Sequence, residues 1–522
     1  MSPSEKILGF SDLQMIQPVQ TTMDAVVGGG GQQVSTSTDK FFDKIDTFPK
    51  TGTLRQKRRR ANYRIYESIN EPELEQLPAI KDATSKDQIK LAKMKLRQCQ
   101  RMFNFYDQQA QVQGKMIKSA AFKELIDYFK QVDAVQEGLF GEAIQTISRN
   151  IFRVLPPSDG PGLDLEEDEP EFEVSWPHLQ LAYELLIVVI ESSSFKNTVC
   201  RKYLTNEFLL QFLHLFDSED PRERDYLKMC LHRIYAKFLF LRTFIRNQIS
   251  YIFLTFVYET GAHNGIDTLL EIVYSYINGF ALPLKPEHKD FCLRILLPMH
   301  KPNSLSRYHD LLAQCVLVFF DKDESLILPV FRGLLKFWPK SSSEKEVLFL
   351  AELEEFLVGV DLDCFEKIAV PIYKQLAKCV GSSQFRVSER ALAFWNNEYI
   401  LSLMAETSEA MLPILFPAVY KISNDHWNQT TAGLAVNALK KLMGINSSLF
   451  TDLLLNYRQV HVKKQFEEKQ RNDLWKLLDL LALSPRCDRS SHAIEVDIIS
   501  STPNNKLVVQ GSPTNSPRDL KF

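Results

Sequence analysis

Four side chains near the middle of the chain have the types and the spacing of a site that binds an acidic group. His232, Arg233 and Tyr235 lie within one turn of a predicted helix, and Arg242 follows ten residues after His232. They offer an imidazole, a phenol and two guanidinium groups, all of which can donate hydrogen bonds to a carboxylate. At helical spacing His232, Tyr235 and Arg242 share one face, flanked by Arg233. The cluster therefore predicts a docking surface for an acidic ligand.

The element that must position this cluster is a long amphipathic helix within residues 217–242, which begins after an acidic turn at Pro221. Apolar residues recur along it at spacings of three and four, the pattern of one buried helix face. They are Leu227, Leu231, Ile234, Phe238 and Leu241. The stripe predicts one continuous helix that reaches Arg242.

The composition of the chain indicates that any recognition of charge is local. Of the 522 residues 45% are apolar, enough for one extended domain or several compact ones, and the formal net charge is only -3. The eight cysteines form no CxxC pair and no Cys/His cluster at metal-ligand spacing, which indicates a reducing compartment without structural zinc. Because no signal peptide is recognisable and no apolar run could span a bilayer, we expect a soluble intracellular protein.

Three regions are predicted along the chain. Residues 1–85 lack a sustained periodicity and are expected to be mostly disordered, with a basic cluster at Arg55 to Arg60. Residues 86–483 have apolar residues at helical spacing throughout, and residues 484–522 form a disordered tail whose four Ser/Thr-Pro dipeptides indicate acceptors for proline-directed kinases. The basic cluster is a nuclear import signal, a phosphate-binding patch or a solvated tail, so we expect a cytoplasmic protein and leave a nuclear location open.

The helical region is predicted to be an all-α, HEAT/armadillo-like helical-repeat solenoid. Strand signals are nearly absent, and Pro329, Pro371 and Pro413 are each 42 residues apart. A period of about 40 to 47 residues is typical of stacked helix pairs, each of which needs its neighbours to bury its apolar face. A series of unrelated helical bundles is the competing interpretation, but it would not require a recurrent spacing.

One long interruption of the helical pattern runs from residue 154 to residue 173 and is rich in proline and carboxylates. It is predicted to be a loop. Such a loop could contact a basic partner, border a metal-containing active site, or simply be a solvated connector, and composition does not separate these.

No catalytic motif occurs on a segment that could support it. The chain has no phosphate-cradling glycine motif, GxSxG elbow, HExxH or kinase signature, and its histidines have no nucleophile and carboxylate at recognisable spacing. We therefore predict a protein that is not an enzyme and that needs no cofactor or metal.

Ten sequence motifs closely resemble the B-prime family of regulatory subunits of protein phosphatase 2A, over about residues 86–480. They are KLRQC (95–99), FRVLPP (152–157), LEEDEP (165–170), WPHLQLAYE (176–184), LFDSEDPRERDYLK (215–228), LHRIYAKFL (231–239), YET with HNGI (258–266), INGFALPLKPEHK (277–289), QLAKCV (375–380) and RALAFWNNEYI (390–400). The resemblance implies about eight HEAT-like repeats. It also implies a non-catalytic subunit that binds the phosphatase scaffold and catalytic subunits and selects their substrates.

In this family substrates carry a short Leu-x-x-Ile-x-Glu motif, which binds in a concave groove between neighbouring repeats. The resemblance assigns that groove to nine residues: His232, Arg233, Tyr235, Arg242, Glu271, Ile272, Tyr276, Lys285 and His288. On this basis Arg233 and His232 are expected to bind the glutamate of the motif. Ile272 and Tyr235 would form an apolar trough, and Lys285 and His288 would attract neighbouring acidic or phosphorylated residues.

This chain departs from the family pattern at three places near the groove. Tyr276 stands where an aliphatic residue is usual, while Ala236 and Phe240 replace glycines and are expected to favour the helix. The alternative function is a solenoid carrier in nuclear transport or nucleic-acid binding, through the cluster at Arg55 to Arg60 and a concave face. A near-neutral pI of 6.4 and the lack of a long basic stripe do not favour it.

Overall fold

The computed structural model describes residues 74–107, 109–131, 137–155 and 172–483. Three predicted features lie outside these ranges, namely the basic cluster at Arg55 to Arg60, the acidic LEEDEP run and the Ser/Thr-Pro tail. The predicted disorder of the N-terminal region likewise falls almost wholly outside them.

The described residues form nineteen α-helices. The helices are α1 Ser85–Cys99, α2 Val112–Gln131, α3 Glu137–Ile151, α4 Trp176–Glu191, α5 Asn197–Tyr203, α6 Asn206–His214, α7 Pro221–Lys237, α8 Arg242–Thr255, α9 Ile266–Asn278, α10 Pro286–Phe291, α11 His309–Lys322, α12 Ile327–Lys336, α13 Ser343–Val358, α14 Leu362–Val380, α15 Phe385–Leu392, α16 Glu398–Glu406, α17 Ser408–Asp425, α18 Gln429–Ile445 and α19 Ser447–Leu483. Within the same ranges there is no strand, and the helices pack in a solenoid-like stack, which confirms the all-α repeat prediction.

The repeat is visible in the positions where packed helices begin. Helices α4, α7, α9 and α11 pack side by side in that order and begin at residues 176, 221, 266 and 309, which are 45, 45 and 43 residues apart. The prolines that indicated the period do not mark the breaks between helices, because Pro371 lies inside α14 and Pro413 inside α17. The predicted period is therefore correct, although the prolines are not the helix ends.

Hydrogen bonds between neighbouring repeats recur at nearly the same sequence separation. Many of them join residues 42 to 47 positions apart, and each links one helix pair to the next. Examples are Lys228–Glu271, Arg233–Glu191, Asn264–Asp217, Lys322–Asn278, Lys345–Lys301 and Thr431–Glu389. Because the apolar residues between them form one continuous core, the polar bonds fix how each repeat is set against the next.

Helix α7 is interrupted at Phe238, so the prediction of one continuous helix to Arg242 is wrong. Phe238 has φ -113° and ψ 88°, a short 3-10 turn covers Leu239–Leu241, and α8 starts at Arg242. The predicted apolar stripe is buried throughout, including Phe238 and Leu241 on the turn. Because the buried residues keep a spacing of three and four through the break, periodicity alone could not reveal it.

A fully buried carboxylate ties α11 to α13. Glu352 on α13 contacts His300 Nε2 at 2.8 Å and His309 Nε2 at 3.2 Å, and His309 is the first residue of α11. Both ring nitrogens of His300 face oxygens, because its Nδ1 lies 2.8 Å from the carbonyl of Leu297. Buried charges are tolerated only when they are paired in this manner.

No single helix in the described ranges is long and apolar enough to cross a membrane. Two successive helices, α16 and α17, which are bent by 113° relative to each other, meet the length and composition criteria only when taken together.

Candidate peptide-binding groove between α7 and α9

Neighbouring helices α7 and α9 are joined by two polar contacts and one ring stack. Lys228 Nζ donates to Glu271 Oε2 at 2.6 Å, and His232 Nε2 lies 3.1 Å from Ser275 Oγ. The ring of Tyr235 stacks on that of Tyr276, with centroids 5.4 Å apart and 24° between the planes. On α7 the three contacting residues are at i, i+4 and i+7, so they share the face that meets α9. We call the surface along this seam the α7–α9 groove.

The start of α7 is fixed by its cap. Asp220 is the N-cap residue, its side chain accepts from the backbone N–H of Arg222 at 3.0 Å, and Pro221 follows at the first helical position. Burial opposes ionisation of Asp220, but hydrogen bonds from Arg222 and from the backbone N–H of Glu173 lower the pKa of its carboxyl. The carboxylate is therefore charged at neutral pH and holds the helix start.

Beside this cap the fully buried Glu223 anchors α7 to the preceding elements. Its two carboxylate oxygens receive N–H groups of Arg153 at 2.6 and 2.5 Å, and the hydroxyls of Tyr183 and Ser218 donate to it at 2.8 and 2.5 Å. All the strong acceptor positions of the carboxylate are thereby used. This anchor sets the position of α7 and so of the groove.

Arg242 reaches the groove by a different route from the one predicted. It is the first residue of α8, and it folds back so that Nε donates to the carbonyl of Tyr235 at 2.8 Å and one Nη to that of Ala236 at 3.2 Å. Its guanidinium carbon lies 5.0 Å from the centroid of the Tyr235 ring, a cation–π distance. The break at Phe238 thus leaves Arg242 in contact with Tyr235.

Arg246, one turn later on α8, is a groove residue that the sequence analysis did not identify. Its guanidinium donates to the hydroxyl of Tyr235 at 3.2 Å. Among the described residues neither Arg242 nor Arg246 forms an ion pair with a carboxylate, so two guanidinium charges beside Tyr235 are not neutralised. The spacing RTFIR, with arginines at i and i+4, is the signal that could have revealed Arg246 once the helix start at Arg242 was known.

Arg233 is directed toward the preceding repeat. Its Nε donates to Glu191 Oε1 at 2.6 Å, and Glu191 is the last residue of α4. His232, the adjacent residue, instead contacts Ser275 on α9. The two predicted partners of the motif glutamate therefore point to opposite neighbours in this structure.

Buried rings and one buried aliphatic side chain form the floor of the groove. Ile272 and Tyr276 are 3% and 4% exposed, and Tyr276 packs against Phe280 with centroids 5.7 Å apart. The imidazole of His288 stacks flat on Phe280 at 3.7 Å. Burial and then the charge of Arg246 lower the pKa of His288, so its ring is neutral at neutral pH. Lys285, exposed at the start of α10, remains a charged group at this end.

Ala236 and Phe240, which stand where the family pattern has glycine, differ in their effect on the fold. Ala236 is exposed on α7, as expected for a helix-favouring replacement. Phe240 lies in the 3-10 turn outside α7, so the expectation that it favours the helix is wrong. Its ring contacts Phe238 and lies 4.5 Å from the guanidinium carbon of Arg201, on the side of α5. Phe240 therefore adds its bulk to the contact with α5.

The described residues offer no group of three or more His, Cys, Asp or Glu side chains that could hold a metal ion. Seven of the eight cysteines fall within them, and all seven are free thiols.

Comparisons with known proteins identify the relatives of this chain. The family model described as protein phosphatase 2A regulatory B subunit (B56 family) matches residues 77–482. The regulatory subunit pptr-1 of protein phosphatase 2A from Caenorhabditis elegans is 52% identical over 87% of this chain and 84% of its own length. The alpha isoform of the 56 kDa regulatory subunit is 47% identical in Mus musculus, over 89% of this chain, and 48% identical in Homo sapiens, over 88% of it, and 96% of each relative is covered.

Proposed function

The chain belongs to the B56, or B-prime, family of protein phosphatase 2A regulatory B subunits, and from that membership we propose that the α7–α9 groove recruits substrates through Leu-x-x-Ile-x-Glu motifs. The family and its relatives are regulatory subunits rather than catalytic ones. In this proposal the chain also binds the scaffold and catalytic subunits of the phosphatase, so that a captured motif brings its protein to the catalytic subunit.

The observation that carries the groove assignment is the pair of guanidinium groups without a carboxylate. Among the described residues the hydrogen bonds of Arg242 and Arg246 go to neutral oxygens and not to a carboxylate, next to His232 and Tyr235. A glutamate that binds between them gains charge-assisted hydrogen bonds without first breaking an ion pair of the protein. The buried Ile272 and the half-exposed ring of Tyr235 offer apolar contact for the aliphatic residues of the motif.

A fluorescence-polarisation titration tests this assignment. A labelled peptide that ends in glutamate is expected to bind the full chain, and Arg242→Ala or His232→Ala to weaken binding about tenfold or more, since each removes a charge-assisted bond. Arg294→Ala is the matched control, because Arg294 is an exposed arginine that forms an ion pair with Asp290 on its own segment. Equal affinity of Arg242→Ala, His232→Ala and wild type would exclude this groove as the peptide site.

Assembly with the phosphatase is tested separately. The tagged chain is expected to retain the scaffold and catalytic subunits during affinity purification, with phosphatase activity in the eluate. The groove variant Arg242→Ala is expected to retain both subunits and to lose only the motif-bearing proteins. Absence of both subunits from the eluate of the wild-type chain would contradict the proposed assembly.

A further inference from the structure

A short segment that precedes the first described residue has the spacing of the ligand proposed for the groove. The triplet Ile-x-Glu occurs twice in the 522 residues. The second occurrence, Ile69 to Glu71, has the ring of Tyr66 three positions before its isoleucine, whereas the first has Asn62 there. Residues 66–71, Tyr-Glu-Ser-Ile-Asn-Glu, therefore match Leu-x-x-Ile-x-Glu with an aromatic residue in place of the leucine. We call them the YESINE segment, and they lie outside the described ranges.

The charges of the YESINE segment are opposite to those of the groove. Glu71 supplies a carboxylate of the kind for which the site between Arg242 and Arg246 is proposed, and neither guanidinium bonds to a carboxylate in the described ranges. Glu73 adds a further negative charge, and Lys285 is an exposed cation of the groove. The segment therefore complements the charge of the groove, through an attraction that weakens as salt is added.

The described residues that follow the segment fix the point from which it starts. The backbone carbonyl of Glu75 accepts a hydrogen bond from Nε2 of Gln98, in the last turn of α1, at 2.9 Å. Leu77 packs against the core, and Ile80 is 3% exposed. Glu71 is thus four residues from an anchored point, and four residues of fully extended chain span at most about 14 Å.

This anchor lies on the side of the stack where the helices α2 and α4 begin. The end of α1 meets the start of α2, since Lys118 Nζ donates to the carbonyl of Arg101 at 2.6 Å. The start of α2 in turn meets that of α4, where His178 Nε2 lies 3.0 Å from the carbonyl of Lys115. Glu75, beside the end of α1, is therefore on that side as well.

The groove arginines lie at the opposite end of α7. Trp176 at the start of α4 packs on Tyr226 near the start of α7, with ring centroids 5.6 Å apart, so α7 begins on the same side as α2 and α4. Arg242 contacts the carbonyl of Tyr235, near the end of α7. The 17 residues of α7 span about 25 Å, and two helix spacings from α2 to α7 add about 18 Å across the stack, which separates anchor and groove by about 30 Å. The YESINE segment is therefore too short to place Glu71 in the groove of its own chain.

We propose that the YESINE segment of one molecule occupies the α7–α9 groove of a second copy of this chain. The proposal rests on the peptide-binding function proposed above. Because each copy has one segment and one groove, two copies exchange segments reciprocally and form a closed, isologous dimer. The second contact of such a pair forms within one complex and so adds to the first. A groove filled in this manner is closed to substrates, so substrate motifs and self-association compete for it.

Sedimentation velocity of the full chain over about 1 to 100 µM tests the exchange. Wild type is expected to shift from monomer to dimer as its concentration rises. Glu71→Ala removes the carboxylate of the segment and Arg242→Ala a guanidinium of the groove, so each is expected to weaken dimerisation about tenfold or more. Glu75→Ala is the matched control and is expected to dimerise as wild type does, because its side chain is exposed and its contact is made by the backbone carbonyl.

A mixture of the two variants distinguishes exchange between chains from binding within one chain. Glu71→Ala keeps an intact groove and Arg242→Ala keeps an intact YESINE segment, so the segment of the second variant can enter the groove of the first. We expect the equimolar mixture to form a heterodimer that is weaker than the wild-type dimer, because one of the two contacts remains. A mixture that stays monomeric while wild type dimerises would overturn the exchange.

A labelled peptide of residues 62–75 separates this proposal from the one on which it rests. We expect it to bind the groove of Glu71→Ala, and an unlabelled Leu-x-x-Ile-x-Glu peptide to displace it and to dissociate the wild-type dimer. If the Leu-x-x-Ile-x-Glu peptide binds in a manner that depends on Arg242 but wild type stays monomeric, the groove stands and the exchange is wrong. A dimer that survives both substitutions is joined by another surface, which also overturns the exchange. If no peptide binding depends on Arg242, both proposals fail.

Discussion

At the start of α7 the buried carboxylate of Glu223 is surrounded by donors from Arg153, Tyr183 and Ser218. Beyond the end of α7, Arg242 and Arg246 form no hydrogen bond with a carboxylate in the part of the chain that the structure describes. Both regions contain charged groups close to aromatic rings. In the first, charge is matched within the chain and closed to solvent, so its role is to hold the helix. In the second, charge is unmatched and partly exposed, so it remains available to a ligand. Whether a charged group is paired within the chain therefore distinguishes charges that hold the fold from charges that can bind a ligand better than residue type does.

The largest effect on stability is expected for Glu223→Gln, which tests whether the buried carboxylate anchors α7. The substitution leaves the charge of Arg153 in an almost fully buried position with one weaker partner, Glu173 at 3.2 Å. Removal of one member of a buried ion pair typically costs about 3–5 kcal/mol, because the other charge stays uncompensated. We expect a loss of that size in the free energy of unfolding, measured by denaturant titration followed by circular dichroism. A loss below about 1 kcal/mol would show that the buried pair is not the anchor of α7.

The buried carboxylate of Glu352 is expected to make the free energy of unfolding depend on pH. Burial opposes its ionisation, but the charge of His300 and hydrogen bonds from both histidines lower its pKa from 4.5 to about 2, so its stabilising effect is present above pH 4.5 and is lost as pH falls towards 2. Burial also opposes the charge of His309, yet Glu352 raises the pKa of that imidazole above 6.5. The stabilisation that His309 contributes is therefore present below pH 6.5 and is lost at higher pH.

Because the Glu352 contribution is present above pH 4.5 and the His309 contribution below pH 6.5, their combined stabilisation of the fold is expected to be largest between about pH 4.5 and 6.5. Denaturant titrations of wild type and Glu352→Gln across pH 3 to 9 measure it as the difference between the two unfolding free energies. We expect that difference to reach about 3 kcal/mol in this window, as each unit of pKa is worth about 1.4 kcal/mol. A difference that is constant over the whole pH range would contradict the pairing of an ionised Glu352 with His300 and His309.

Arg246 and Arg233 test the same comparison through peptide binding. Arg246→Ala is expected to weaken binding of a glutamate-ended peptide about tenfold, because the Arg246 guanidinium contacts no carboxylate within the described ranges. Arg233→Ala is expected to weaken it by less than about threefold, since Arg233 already pairs with Glu191. Polarisation titrations of both variants, at low and high salt, measure the difference. A larger loss for Arg233→Ala would mean that Arg233 leaves Glu191 when the peptide binds.

The smallest effect is expected at the partly exposed pair of Lys228 and Glu271, whose side chains are 30% and 43% exposed. Exposed ion pairs contribute about 0–1 kcal/mol, so Glu271→Gln is expected to change the free energy of unfolding by less than about 1 kcal/mol. The same denaturant titration that is used for Glu223→Gln gives this value. A loss as large as that of Glu223→Gln would remove the distinction between the two kinds of charge.

Sequence patterns predicted the repeat and the buried stripe because both depend on periodic burial. They did not predict the break at Phe238, after which Leu241 continues the same apolar spacing on a 3-10 turn instead of an α-helix. For the same reason Arg242 was expected at the end of one continuous helix, whereas it begins α8 and contacts Tyr235 from there. The direction of Arg233 depends on Glu191, which is 42 residues away, and such a contact has no signature in local spacing.

The regular separation of the bonds between repeats has a consequence for how this chain can vary in length. Each residue of an α-helix turns the following ones by about 100°, so one residue inserted within α9 would rotate Glu271 and Ser275 away from Lys228 and His232. The same insertion in a connection between helices leaves that angular register intact. Length changes should therefore accumulate in the turns. For the packed helices themselves, a whole repeat is the smallest unit that can be gained or lost without a mismatch between its neighbours.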